Sequence, residues 1–139
     1  MKFTATIYVD DIEKSYKAVE LYKEAFGLSL GYNLSYEDPE GMRKWGLDIG
    51  DNYVPRRGYF HADLVRDDET VFSVSAEGDS GIPGGVQFIV LSMQMGSEEA
   101  VKKAVSILSE GTKTPSDEGW NPCTAGVTDP FNVNWCIFV

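Results

Sequence analysis

Gly78-Asp79-Ser80-Gly81-Ile82-Pro83-Gly84-Gly85 divides this sequence of 139 residues, and the order of elements on either side of it decides the fold. Glycine and proline this dense bend the chain and stop regular structure, so the stretch reads as a linker. Upstream, Phe3, Ala5, Ile7 and Val9 alternate with Lys2, Thr4, Thr6 and Tyr8, the period of a strand with one apolar face. Asp10 with Glu13 resembles a capping box, and Ile12, Tyr16, Val19, Leu21, Tyr22, Ala25 and Phe26 recur at helical spacing until Gly27, which predicts a helix over Ile12 to Phe26. Three further strands follow, Leu30 to Glu37, Gly58 to Arg66 and Glu69 to Ala76, the last two joined by a tight turn at Asp67-Asp68. Asp38-Pro39-Glu40-Gly41 reads as a loop, and the run from Met42 to Arg57 carries no pattern that places it.

Downstream of the linker the order repeats. A strand from Val86 to Met93 leads to a helix from Glu98 to Glu110, capped by Ser97, with Glu98 and Glu99 in its first turn. Val101, Ala104, Val105 and Leu108 form its apolar stripe and Gly111 its stop, and strand-like segments run to the end. The expected fold class is therefore α+β: two βαβββ modules, about 1–80 and about 85–139, in one domain over 1–139. Each curved mixed sheet packs one face on a helix, which leaves the other faces to enclose a concave pocket.

Composition narrows the partners. A formal charge of −10, from 12 Lys and Arg against 22 Asp and Glu, repels nucleic acid and anionic membrane surfaces. No apolar stretch approaches the ~20 residues of a membrane span, and the first residues show no secretory pattern, which points to the cytoplasm. Two cysteines, Cys123 and Cys136, are too few for a disulfide framework and stand at no zinc-finger spacing, so they read as reduced thiols.

Strand alternation indicates which side chains lie opposite the helix-packed faces. Strand three sets Phe60, Ala62 and Leu64 against Tyr59, His61 and Asp63. Strand four sets Phe72, Val74 and Ala76 against Val71, Ser73 and Ser75. In the last strand Val133, Trp135, Ile137 and Val139 oppose Asn134, Cys136 and Phe138. Thr4, Thr6, Tyr8, His61, Asp63, Ser73, Ser75, Asn134 and Cys136 thus share the polar faces, a mixture of hydroxyls and aromatics suited to a small organic ligand. The bland alternative is a solvated sheet face. Of the three tryptophans, Trp135 faces a helix by alternation, Trp45 could be core or ligand contact, and Trp120, in Glu118-Gly119-Trp120-Asn121-Pro122, edges the pocket.

Three stretches carry a family resemblance. They are Ala18-Val19-Glu20-Leu21-Tyr22-Lys23-Glu24-Ala25-Phe26-Gly27; Phe60-His61-Ala62-Asp63-Leu64 followed by Val71-Phe72-Ser73-Val74-Ser75; and Gly126-Val127-Thr128-Asp129-Pro130-Phe131-Asn132-Val133-Asn134-Trp135. In this order they resemble the vicinal oxygen chelate superfamily, which includes glyoxalases, bleomycin resistance proteins and dioxygenases, and within it the PhnB-like branch. The resemblance implies paired βαβββ modules around an open cup, and commonly a homodimer. Asn132 stands where the family usually has Gly, a replacement that tolerates the same left-handed backbone.

Enzymes of that superfamily typically hold a divalent ion with one His or carboxylate from each of four strands. The corresponding places here are about Thr4, Ser73, Phe88 and Cys136, none of which is a His or carboxylate. Strands Lys2 to Val9, Val71 to Ala76, Val86 to Met93 and Asn132 to Val139 contain no His, Asp or Glu at all, so no metal and no other cofactor is expected. Phe88 then joins the pocket set rather than a metal site.

The only histidine, His61, has Asp63 two residues on along the same strand face. A His beside a carboxylate can act as general base, but strand neighbours at i and i+2 lie roughly 6 to 7 Å apart and do not ordinarily bond directly. A structural histidine is the ordinary alternative, and Cys136 as a nucleophile lacks a basic neighbour in sequence. Two function classes follow. One is a metal-free binder of a small organic molecule. The other is a lyase or oxidoreductase of the same superfamily, metal-dependent or using His61 as acid and base.

Overall fold

The computed structural model describes residues 4–76, 90–110, 116–117 and 125–139. In the first half, β1 (Thr6–Tyr8), α1 (Ile12–Phe26), β2 (Ser29–Ser35), α2 (Pro39–Lys44), β3 (Tyr59–Arg66) and β4 (Glu69–Ser75) follow in order. The second half supplies β5 (Val90–Gln94), α3 (Glu98–Leu108), β6 (Ser116–Asp117), β7 (Ala125–Thr128) and β8 (Asn134–Phe138). The strands form two four-stranded sheets with the same internal order, β1-β4-β3-β2 and β5-β8-β7-β6. In each the first strand lies parallel to the last, and the remaining pairs are antiparallel. The fold is thus α+β with two βαβββ modules. Compact units comprise Met1–Lys23 with Leu28–Pro83, and Glu24–Gly27 with Gly84–Val139.

In the first unit, Ala62 and Leu64 of β3 and Phe72 and Val74 of β4 are buried together with Ala18, Val19 and Tyr22 of α1. Tyr22 meets Phe72 edge to face, with ring centroids 5.4 Å apart. Helix α1 has the expected span, but its cap is Asp11, not Asp10. The residue directly before the first turn faces the free amide of Lys14, which donates to Asp11 Oδ1 at 2.7 Å, while Asp10 takes the Lys14 ammonium instead. Periodicity also missed Ser15, fully buried on the apolar stripe, whose hydroxyl accepts the Tyr59 amide at 2.7 Å.

Several boundaries differ from the sequence expectation. Strand β1 covers Thr6–Tyr8 only among the described residues, so Thr4 lies before it. Asp38-Pro39-Glu40-Gly41 is the start of a helix and not a loop: Asp38 accepts the Gly41 amide at 3.0 Å, and Pro39 occupies the first turn, where no amide hydrogen is required. Helix α2 and the segment after it build a satellite core. Met42, Leu47, Ile49, Tyr53 and Phe60 pack around Ile12, Leu34 and Tyr36. The phenol of Tyr36 donates to the Ala76 carbonyl and that of Tyr53 to the Tyr36 carbonyl, both at 2.6 Å.

A bulge in β3 overturns one expected neighbour. Leu34 pairs with His61 and Ser35 with Tyr59, so Phe60 is the extra residue and alternation breaks there. The Tyr59 ring consequently stacks on Tyr16 of α1, 6.5 Å between centroids, and does not lie beside His61. The hairpin at Asp67-Asp68 is a tight turn as expected, with φ of 50° and 62°.

In the second unit, Val101, Ala104 and Leu108 of α3 are buried and Val105 is half-buried. Ser97 caps the helix through the Ala100 amide at 3.2 Å. The helix stops at Leu108 rather than Glu110, where the Ser109 hydroxyl turns back to the Val105 carbonyl at 2.6 Å. Trp135 is buried against Phe26 of the last turn of α1, with ring centroids 4.9 Å apart. The Gly78–Gly85 linker lies outside the described residues.

Candidate functional site

The face of the first sheet opposite α1 carries two cross-strand rows. Register sets Thr6 beside Ser73 and Ser73 beside Asp63, and in the next row Tyr8 beside Ser75 and Ser75 beside His61. Burial grades across the face: Ser73 and Ser75 are buried, His61 and Asp63 half-buried, and Thr6 and Tyr8 exposed. Buried hydroxyls need partners, and here they find them within the face.

His61 Nε2 lies 2.7 Å from Asp63 Oδ1, and the Ser73 hydroxyl donates to the same oxygen at 2.6 Å. The sequence expectation that an i, i+2 pair would not bond is therefore wrong. Strand spacing separates the Cβ atoms, but an imidazole and a carboxylate leaning toward one another close the gap. A carboxylate only accepts, so Nε2 carries the hydrogen. With a single ring hydrogen on Nε2, Nδ1 is the acceptor for the Ser75 hydroxyl, 3.3 Å away; with both nitrogens protonated it donates to that hydroxyl instead. The result is a chain from Ser75 through His61 to Asp63 and Ser73.

Two aromatic residues stand beside this chain, and neither belonged to the expected pocket set. Tyr32 and Trp45 are 52% and 59% exposed, unusual for rings of this size. Their centroids are 6.2 Å apart, and Tyr32 is 6.3 Å from the His61 ring. Tyr32 sits in the irregular stretch of β2 between Leu30 and Asn33, where alternation gives no guidance, and Trp45 follows a helix that the sequence left unplaced.

Of the remaining expected pocket residues, Thr4 is exposed ahead of β1. Asn134 and Cys136 lie on the second sheet, on the face away from Trp135. Asn134 accepts the Thr128 hydroxyl at 2.8 Å, and Cys136 is a half-buried free thiol paired in register with Ser92 and Gly126. Phe88 and Trp120 lie outside the described residues.

The metal positions implied by the resemblance do not fit a metal. Ser73 commits its hydroxyl to Asp63, Thr4 offers only another hydroxyl, and Cys136 is a single soft donor. Among the described residues no three His, Cys, Asp or Glu side chains gather to hold an ion.

Among the described residues of the second unit one carboxylate is buried, Asp129, which organises the Asp129-Pro130-Phe131-Asn132 turn. Its Oδ1 accepts the amides of Phe131 and Val133 at 2.9 and 3.0 Å, and its Oδ2 accepts the Trp135 indole at 2.8 Å. Asn132 takes φ 65°, the left-handed conformation that the usual Gly would supply.

No protein-family model matches the chain, nor does any curated protein. Solved structures do match in fold. Protein PA1353 from Pseudomonas aeruginosa is 18% identical, with a TM-score of 0.68 over 99% of this chain and 97% of that one. A putative 3-demethylubiquinone-9 3-methyltransferase, PhnB protein, from Bacillus cereus is 15% identical, with a TM-score of 0.65 over 99% and 98%. A glyoxylase/bleomycin resistance protein/dioxygenase domain from Frankia sp. EAN1pec is 11% identical, with a TM-score of 0.58 over 100% and 96%. Identities this low establish the shared fold and leave the activity to be argued from the residues.

Proposed function

We propose that this chain, which has the fold of the vicinal oxygen chelate superfamily, is a cytoplasmic binder of a small organic molecule that works without a metal. The carrying observation is the hydrogen-bonded row Ser75–His61–Asp63–Ser73 bordered by the exposed rings of Tyr32 and Trp45. Fixed polar groups beside exposed aromatic faces are what an organic ligand uses for orientation and contact area. Thr6 and Tyr8 extend this subsite, and Thr4, Phe88, Trp120, Asn134 and Cys136 remain proposed pocket residues. We also propose one domain of two modules over 1–139, and a homodimer in solution.

A thermal-shift screen of small organic molecules on the purified chain, followed by amide chemical-shift mapping, tests the reading. Hits are expected to perturb His61, Asp63, Ser73 and Tyr32. Hits that map elsewhere, or a broad library with no hit, refute it. Elemental analysis of protein purified without chelator or affinity tag should find no stoichiometric zinc, iron, manganese or nickel, and light scattering should give the dimer mass.

A second reading rests on the same chain of bonds. His61, oriented by Asp63 and directed at Ser75, has the arrangement of a general base, which supports acid–base catalysis on a bound molecule. Turnover lost in His61→Ala with ligand affinity retained would favour that reading over pure binding.

A further inference from the structure

Asp63 is a carboxylate with one oxygen occupied and one open. Oδ1 takes both the His61 and Ser73 hydrogens, whereas Oδ2 accepts nothing from any described residue. The side chain is only 21% exposed, and among the described residues no Lys or Arg nitrogen lies within 4.0 Å of it. Among the described residues its one ionisable partner is His61, which offsets the charge only when protonated. A carboxylate so far withdrawn from water and lacking a cation gains from one supplied from outside.

The neighbouring rings favour the same charge. Tyr32 and Trp45 are more than half exposed, and their rings, with π systems negative at the centre, stand in a row that continues to His61. A cation is drawn to such faces and to Asp63 alike, while a carboxylate or phosphate is repelled by both. The cationic side chains next to Trp45 do not alter this: Arg43 and Lys44 are exposed on α2, and Lys44 is turned toward Glu40 at 3.8 Å. The chain's charge of −10 adds a long-range field of the same sign.

We infer that the ligand of this face is an aromatic organic cation. Its ring stacks on Tyr32 and Trp45, and its protonated nitrogen donates to Asp63 Oδ2. The inference rests on the proposed binding role and adds the charge and shape of the occupant. An aromatic ring alone would leave Oδ2 open, and an aliphatic cation alone would leave the two rings in water.

Three probes that share one ring system separate the contributions: 2-naphthylmethylammonium, 2-naphthalenemethanol and 2-naphthoate, titrated into the intact chain and followed by amide chemical shifts. The cation is expected to bind tighter than the carboxylate by at least about tenfold, the scale of one charge-assisted contact joined to cation–π attraction. Asp63→Asn, which keeps an acceptor for His61 and Ser73, should cut the preference for the cation over the carboxylate by about threefold or more, leaving only the part owed to the rings and the net charge. Trp45→Ala, at a side chain that is 59% exposed, should weaken all three. Equal or inverted preference at the same residues overturns the cation assignment and leaves the binding role standing. Failure of every probe to perturb this face overturns the assignment as well, and the library screen then decides the binding role separately.

Discussion

His61 Nε2 and Asp63 Oδ1 stand 2.7 Å apart although the two residues are separated by one residue on a single strand. The contact makes Nε2 of the only histidine of the chain a donor to Asp63 and leaves Nδ1 facing Ser75. It also ranks the partners: Asp63 holds two donors, His61 one close acceptor and one longer contact at 3.3 Å.

That ranking predicts unequal costs. Asp63→Ala strips the acceptor from a buried serine and a half-buried histidine and should destabilise the chain by about 1–2 kcal/mol. His61→Ala leaves Ser73 on Asp63 and should cost less, about 0.5–1 kcal/mol, since the pair is partly exposed and screened. Urea denaturation of both variants decides the order; a larger loss in His61→Ala would contradict the assigned hierarchy.

Ser15 links α1 to the start of β3 by accepting the Tyr59 amide. Ser15→Ala leaves that amide without its acceptor and should cost about 1–2 kcal/mol, although alanine favours the helix itself. Hydrogen exchange at Tyr59 should quicken more than at His61 or Ala62. A uniform change along β3 would mean that the hydroxyl acts on the whole sheet.

Much of this fold could be read from side-chain period. Helix α1 from Ile12 to Phe26, the Ser97 cap, the Asp67-Asp68 turn and the repeated element order all follow from local pattern, because each depends on residues near in sequence. What escaped depends on distant partners. The bulge at Phe60 is visible only once β2 is laid beside β3, and it sends Tyr59 to the helix side against alternation. Met42 and Ile49 show no period because they cover the satellite core from a helix of under two turns and the irregular segment after it. For the candidate site, His61, Asp63, Ser73 and Ser75 could be assigned to one face by counting, but their hydrogen-bond order could not. Tyr32 and Trp45 were hidden by an irregular strand and an unplaced helix.

Burial raises the pKa of the Tyr59 phenol above its ordinary 10.0; Glu20, Tyr16 and Glu37 push the same way, and Lys23 opposes them. The unfolded chain therefore releases this proton first as pH rises. The folded state holds its full advantage below about pH 10 and loses it as pH climbs through the raised value. Tyr53, raised chiefly by burial with Arg56 opposing, adds to the same loss. Stability measured by urea between pH 9 and 11.5 should fall more steeply in the parent chain than in Tyr59→Phe. Parallel curves would remove Tyr59 from the account.

Asp129 couples a turn to a tryptophan, and the two roles can be separated. Its Oδ1 serves the Phe131 and Val133 amides and its Oδ2 the Trp135 indole, all within a buried setting. Asp129→Ala leaves three donors unpaired and should cost about 3 kcal/mol or more, enough to threaten folding. Asp129→Asn is the sharper probe. The amide oxygen can still take both backbone hydrogens, but its nitrogen then faces the indole N–H, donor against donor. Trp135→Phe removes that indole hydrogen, so it should be tolerated better in the Asp129→Asn background than in the parent chain with its carboxylate. A double-mutant cycle in urea should therefore show a favourable coupling of about 1 kcal/mol or more between the two substitutions. Additive losses would mean that the Asp129–Trp135 bond carries no stability, and that the carboxylate is there for the turn alone.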